Sequence, residues 1–194
     1  MRPARSLRRP GSGLAGPSPT GRPGGSACTT RTPARSARAG SGNRSSSPSL
    51  AQVVDNADGI VLDHDVDTGN PPDAPRLKPA VARVIKRTRQ KPRTVAADRG
   101  YGEASVDDDL DDLGITNPVI PRKGKTSKAR QAHEKRRAFR QVVKWRTGCE
   151  GRISHLKRNY GLDRTKLDTL EGARTWTGHG VFAHNLTKIA NLAA

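Results

Sequence analysis

The first fifty residues hold nine arginines and no Lys, Asp or Glu, and their only large aliphatic side chains are Leu7, Leu14 and Leu50. Val, Ile, Phe, Tyr and Trp are absent there. Ordering a backbone costs about 1–2 kcal/mol per residue, and a segment this poor in apolar surface cannot offset that by burial. Composition therefore predicts a disordered basic segment over residues 1–50 and confines any core to residues 51–194.

The second segment has the periodicities that the first lacks. Ala51-Gln52-Val53-Val54-Asp55 and Ile60 to Val66 are strand-like, and Asn56-Ala57-Asp58-Gly59 between them reads as a hairpin turn. From Asp73 to Thr88, Leu77, Val81, Val84 and Ile85 recur at helical spacing, with the acid at the amino end. A strand over 93–98, a helix over 103–113, a strand over 118–121, a long helix over 138–158 and a helical region over 170–192 follow. That order predicts an α/β fold with a mixed sheet flanked by helices. Hydrophobic residues make up 32% of the chain and aromatics 3%, so the core is modest.

Charge narrows the partners. The chain carries a net +18, half of it from residues 1–50. Fourteen Lys or Arg face only Glu134 and Glu150 between residues 122 and 158. Such a surface seeks a polyanion, most simply nucleic acid. Arg122, Lys123, Lys125, Lys128 and Arg130 fall in a Gly/Ser/Thr-containing loop suited to phosphate contacts, and Arg152 and Arg158 extend the set. No apolar stretch approaches the length needed to cross a bilayer, so a membrane is not an expected partner. Cys28 and Cys149 form neither a disulfide framework nor a zinc pattern, which fits a reducing cytoplasm.

The densest chemical signal is residues 146–157, R-T-G-C-E-G-R-I-S-H-L-K. At about 3.6 residues per turn, Arg146, Glu150 and Lys157 share one helical stripe. That pattern alone is more often a surface salt-bridge stripe. Upstream, Thr94 to Ala97 is an apolar run ending in Asp98, followed by Arg99-Gly100-Tyr101. An acid at the carboxyl end of a strand is where open α/β sheets place functional groups. Trp145 and Trp176 read as core anchors. His179 and His184 lie five residues apart and point in different helical directions. The acidic run Asp107, Asp108, Asp109, Asp111 and Asp112 reads as a solvated helix face.

Together these segments resemble the carboxyl-terminal part of an insertion-sequence DDE transposase. Asp98 to Tyr101 is similar to the block around that family's second catalytic Asp. Arg146, Glu150 and Lys157 fall on its R-x3-E-x6-K signature, although Val143 stands where a tyrosine usually leads it. Gly69 to Asp73 and Tyr160 to Leu192 are also family-like. The resemblance implies a ribonuclease-H-like catalytic domain over residues 51–194 that is partial, with its first strand missing. It implies two Mg²⁺ or Mn²⁺ ions about 3.5–4 Å apart that serve DNA strand cleavage and transfer. Asp98 and Glu150 would be metal ligands, with Arg146 and Lys157 beside them neutralising phosphate charge. DNA, as transposon ends and target, would be the partner, with a homo-oligomer or an intact transposase as protein partner.

The family's first catalytic Asp should stand upstream of residue 51, where no acid exists. The expected consequence is a chain inactive by itself, and the alternative is a non-catalytic DNA-binding protein that represses an intact transposase. Arg, Ala, Gly, Pro and Ser without Lys is also what a G/C-rich gene gives when read out of frame. Shifted by one base, codons for Gly25 to Ser47 can encode V-S-L-H-D-P-D-A-R-P-I-R-K-G-R-L-G-K-P-V-E-F, similar to the transposase sequence expected before Ala51. This predicts a small insertion or deletion near codons 48 to 51. Translating the gene in its three frames checks it, and a second frame without transposase-like sequence ends the idea.

Overall fold

The computed structural model describes residues 26–36, 49–69 and 71–194. Residues 1–25 and 37–48, which carry most of the segment expected to be disordered, lie outside the described residues, as does Asn70. Among the described residues, six strands and five helices follow in chain order. They are β1 (Ser26–Ser36), β2 (Ser49–Asn56), β3 (Val61–Thr68), α1 (Ala74–Thr88), β4 (Thr94–Ala97), α2 (Ala104–Asp112), β5 (Asn117–Val119), α3 (Lys128–Glu134), α4 (Arg137–Tyr160), β6 (Arg164–Thr165) and α5 (Thr169–Ala193). A single 3₁₀ turn, Arg99–Tyr101, links β4 to α2.

The sheet runs β3-β2-β1-β4-β5, with β6 beside the far end of β1. β1 pairs antiparallel with β2 along its length and parallel with β4, placing Thr29 beside Ala97. A strand that composition did not predict is therefore present at the centre of the sheet, inside the Arg-rich segment. Its backbone is paired on both flanks, a contribution that counting apolar side chains overlooks. Thr29, Thr30 and Thr32 also favour extended backbone. The boundary expected at residue 50 falls within β2.

The hairpin forms as its sequence suggests. Gly59 adopts φ +80°, a conformation other residues take up only with strain. The Asn56 side chain accepts from the Ile60 amide at 2.9 Å. β4 is buried along its whole length, as expected of a strand covered on both faces. On one face Val95 and Ala97 meet Leu77 and Val81 of α1 and Val106 and Leu110 of α2. On the other, Ala96 and Val119 receive Phe139, with Val142, Val143 and Trp145 of α4 packed at the edge. Val143, which stands where the familial tyrosine is missing, thus belongs to the core. Val53 and Val61 meet Leu156 of α4, Val181 of α5 and Leu162 between them.

Three local readings change. The stretch 122–130 is not all loop, because α3 begins at Lys128 with the Ser127 hydroxyl capping the Arg130 amide at 3.2 Å. The acidic run is more than a solvated face: Lys78 of α1 bridges Asp109 and Asp112, and Asp107 takes two arginines. Cys149 is buried and disulfide-bonded, contrary to the expectation of unpaired thiols. His179 is exposed and His184 buried, as their spacing suggests. Trp176 is half-buried and donates to the Gly161 carbonyl at 2.7 Å. Among the described residues no helix is long and apolar enough to cross a membrane.

Leu77 is fully buried at the centre of the α1–α2 layer, whereas Leu167 is exposed. Leu77→Ala should lower unfolding free energy by about 2–5 kcal/mol, and Leu167→Ala should change it by less than about 0.5 kcal/mol. Urea denaturation followed by circular dichroism reads both.

Candidate active site

Asp98 stands where β4 ends, in extended backbone, and its Oδ1 accepts from the Gly100 amide at 2.6 Å. That bond caps the turn. Two further contacts fix the turn. The buried Tyr101 hydroxyl accepts from Gln52 Nε2 at 3.1 Å, tying the turn to β2. The Lys123 amide donates to the Gly102 carbonyl at 2.8 Å, tying it to the loop after β5.

Gly100 explains why the turn needs glycine. A Cβ there would collide with Oδ2 of Asp73 and with Oδ1 of Asp98. The absence of a side chain lets an oxygen of each carboxylate converge on the space a Cβ would fill. Asp73 is thus a member of the site that sequence reading missed, having been taken as an acid opening α1. The signal available was its position at the close of the family-like stretch from Gly69.

α4 carries the rest. Arg146 Nη2 approaches Glu150 Oε1 at 3.4 Å, the i,i+4 contact that their spacing predicts. The two differ sharply in exposure: Arg146 shows 12% of its side chain to solvent and Glu150 shows 62%. Arg146 Nε is buried and has no hydrogen-bond partner among the described residues. Both residues act electrostatically on Asp98. Burial drives the Asp98 carboxyl above its ordinary value, with Asp73 and Glu150 pushing the same way and the Gly100 N–H and Arg146 opposing. Asp98, Glu150 and Arg146 therefore share one region, with Asp73 added. Lys157 continues the stripe down α4, half-buried and without an ion pair among the described residues.

The donor set falls short of a metal centre. A hard divalent cation needs several oxygen ligands converging on one point. Among the described residues no three His, Cys, Asp or Glu side chains gather closely enough to hold an ion. The strand beside β4, Ser26–Ser36, contains no carboxylate. The residues present thus do not fit the two-metal arrangement.

The basic residues divide into engaged and open. Arg122 and Arg130 both reach Asp107 Oδ2, at 2.5 and 2.9 Å. Arg130 also bonds Glu134 and the Ile120 carbonyl, and Lys123 pairs with Glu103. Arg152 is turned inward onto the buried carboxylate of Asp55. Arg158 donates to the Ser154 carbonyl one turn back. Lys125 and Lys128 are exposed and make no ion pair among the described residues. A cavity of about 460 Å³ opens beside them, between Gly102-Glu103-Ala104 and the 122–130 segment.

A family profile described as the transposase DDE domain matches residues 23–186. Since this spans most of the chain, the protein belongs to the transposase DDE domain family. The match begins inside the Arg-rich segment, at the approach to β1. No curated protein matches the chain significantly. Among solved structures, a chain of the Mos1 strand transfer complex is similar at 14% identity and a TM-score of 0.40, over 84% of this chain. This protein spans about half, 52%, of that chain's length.

The raised value at Asp98 has a testable sign. An acid held above its ordinary value in the folded state favours folding most at low pH, and that contribution disappears as pH rises through the raised value. Asp98→Asn keeps an acceptor for Gly100 but removes the buried charge. The variant should melt higher than the parent at neutral pH, and the gap should close as pH falls into the carboxylate range, read by thermal melts across pH.

Proposed function

We propose that this chain is a DDE transposase domain that retains the DNA-facing surface of the family and lacks its catalysis. The observation carrying this reading is the composition of the strand beside β4. Residues 26–36 fill the position flanking Asp98 with Ser, Thr, Ala, Arg, Pro and Cys, and none with Asp or Glu. The family reaction, metal-dependent DNA strand cleavage and transfer, rests on a carboxylate from that strand meeting those at Asp98 and Glu150. Without it, Mg²⁺ or Mn²⁺ has too few oxygen ligands, and even a 1 Å misplacement of a catalytic group costs about 10²-fold. The sheet order, with an antiparallel β3-β2-β1 half joined to a parallel β1-β4-β5 half, supports a ribonuclease-H-like reading of the fold.

DNA binding is the retained part. Lys125 and Lys128 are open to solvent beside the basic cavity, and Arg146 sits poised by Asp98 with an unmatched N–H. A chain that occupies transposon ends without cutting them would repress an intact transposase, either by competition or within a mixed oligomer. The exposed, unpaired lysines beside an incomplete ligand set favour this second reading over a purely vestigial protein.

Purified protein with a short duplex should bind it at low salt and yield no strand-transfer product in Mg²⁺ or Mn²⁺. Divalent-dependent joining that disappears in Asp98→Ala would overturn the inactive reading.

A further inference from the structure

We infer that the groove between α4 and α5 is a second DNA-phosphate site, on the face of α4 turned away from Glu150. This rests on the DNA-binding reading above and extends it to a surface that reading does not use. The groove encloses about 340 Å³ and is lined on α4 by Gly148, Gly151 and His155 and on α5 by Thr187, Lys188 and Asn191. No carboxylate lines it. Lys188 makes no ion pair among the described residues, and Arg152 adds positive charge at one wall although it is committed to Asp55. A cation beside a hydroxyl, an amide and an imidazole, with no competing acid, is the donor set that a phosphate oxygen requires.

The spacing explains the shape. Positions 148, 151 and 155 share one face of α4, and 184, 187, 188 and 191 share one face of α5. At one end, the edge-to-face contacts of His155, Tyr160 and His184, with centroids 5.4–6.0 Å apart, close the groove. Toward the other, two glycines stand inside a long helix, where glycine is the least favoured residue after proline. The usual structural reason for a helical glycine is a close neighbour. Here a Cβ at Gly151 would meet nothing within 4 Å, and one at Gly148 would meet only Arg152 Nη1, at 3.6 Å. Among the described residues, nothing fills the space the glycines leave. A strand backbone laid along the groove would use it, with Lys188 against a phosphate.

The test is fluorescence anisotropy of the full chain with a labelled duplex of random sequence over a salt series, with thermal melts alongside. Lys188→Gln should weaken binding about 3- to 10-fold at low salt and lower the log–log salt slope by about one. Gly151→Leu should weaken binding while holding or raising the melting temperature, since leucine favours a helix and fills the groove. A structural role for Gly151 would instead lower the melting temperature. Lys125→Gln and Lys128→Gln serve as the reference surface. If those weaken binding and both groove variants bind like the parent, the second site is wrong and the first reading stands. If the parent binds no DNA even at low salt, both readings fall. Loss of binding in Lys188→Gln without loss of slope also overturns the proposal, because it would not involve a phosphate.

Discussion

Within the sheet, backbone pairing joins the antiparallel hairpin to the parallel half through β1. β2 and β4 do not pair with each other, and each hydrogen-bonds to opposite edges of the same extended backbone. That strand sets the relative position of the two halves together with α1 and α4, which pack across both. Asp98 is carried by β4, while the partner that locks its turn, Gln52, is carried by β2. Asp55, which holds Arg152 of α4, also comes from β2. A strand built from Ser, Ala, Thr, Arg and Pro can fill this role because the interaction is between peptide groups, and every residue but proline offers both. It fills the geometric role of a central strand without supplying a carboxylate.

Electrostatics around the sheet end are asymmetric. On the Asp98 side, burial and two neighbouring acids oppose ionisation, with the Gly100 N–H and Arg146 as counterweights. On the hairpin side, burial also raises the Asp55 carboxyl, but the Arg152 guanidinium bonds it directly. Asp55 is thus settled within the fold, while Asp98 keeps an excess of negative neighbours.

Much of this was legible in the residues. α1, α4 and α5 announce themselves by period, the hairpin by Asn56 to Gly59, and the pairing of Arg146 with Glu150 by their four-residue spacing. What escaped reading has a common physical origin. β1 depends on backbone pairing across the sheet, which no side-chain pattern encodes. α3 depends on a single serine cap within a run that otherwise looks like a basic loop. Asp73 joins Asp98 only because α1 packs its amino end against the turn and Gly100 leaves room. The bridge at Cys149 likewise has no local trace. Apart from the α3 cap, which spans three residues, each of these is a long-range consequence of assembly.

Asp107 holds the loop after β5 by occupying two guanidinium groups at once. Any polyanion approaching Arg122 or Arg130 must therefore displace a carboxylate already in place, so contact there is an exchange of one anion for another. Such an exchange neutralises no new charge and releases few counterions. A tally of cations on this surface consequently overstates its electrostatic reach. The acids of α2 act as a built-in competitor that leaves long-range attraction to the few lysines without a resident partner.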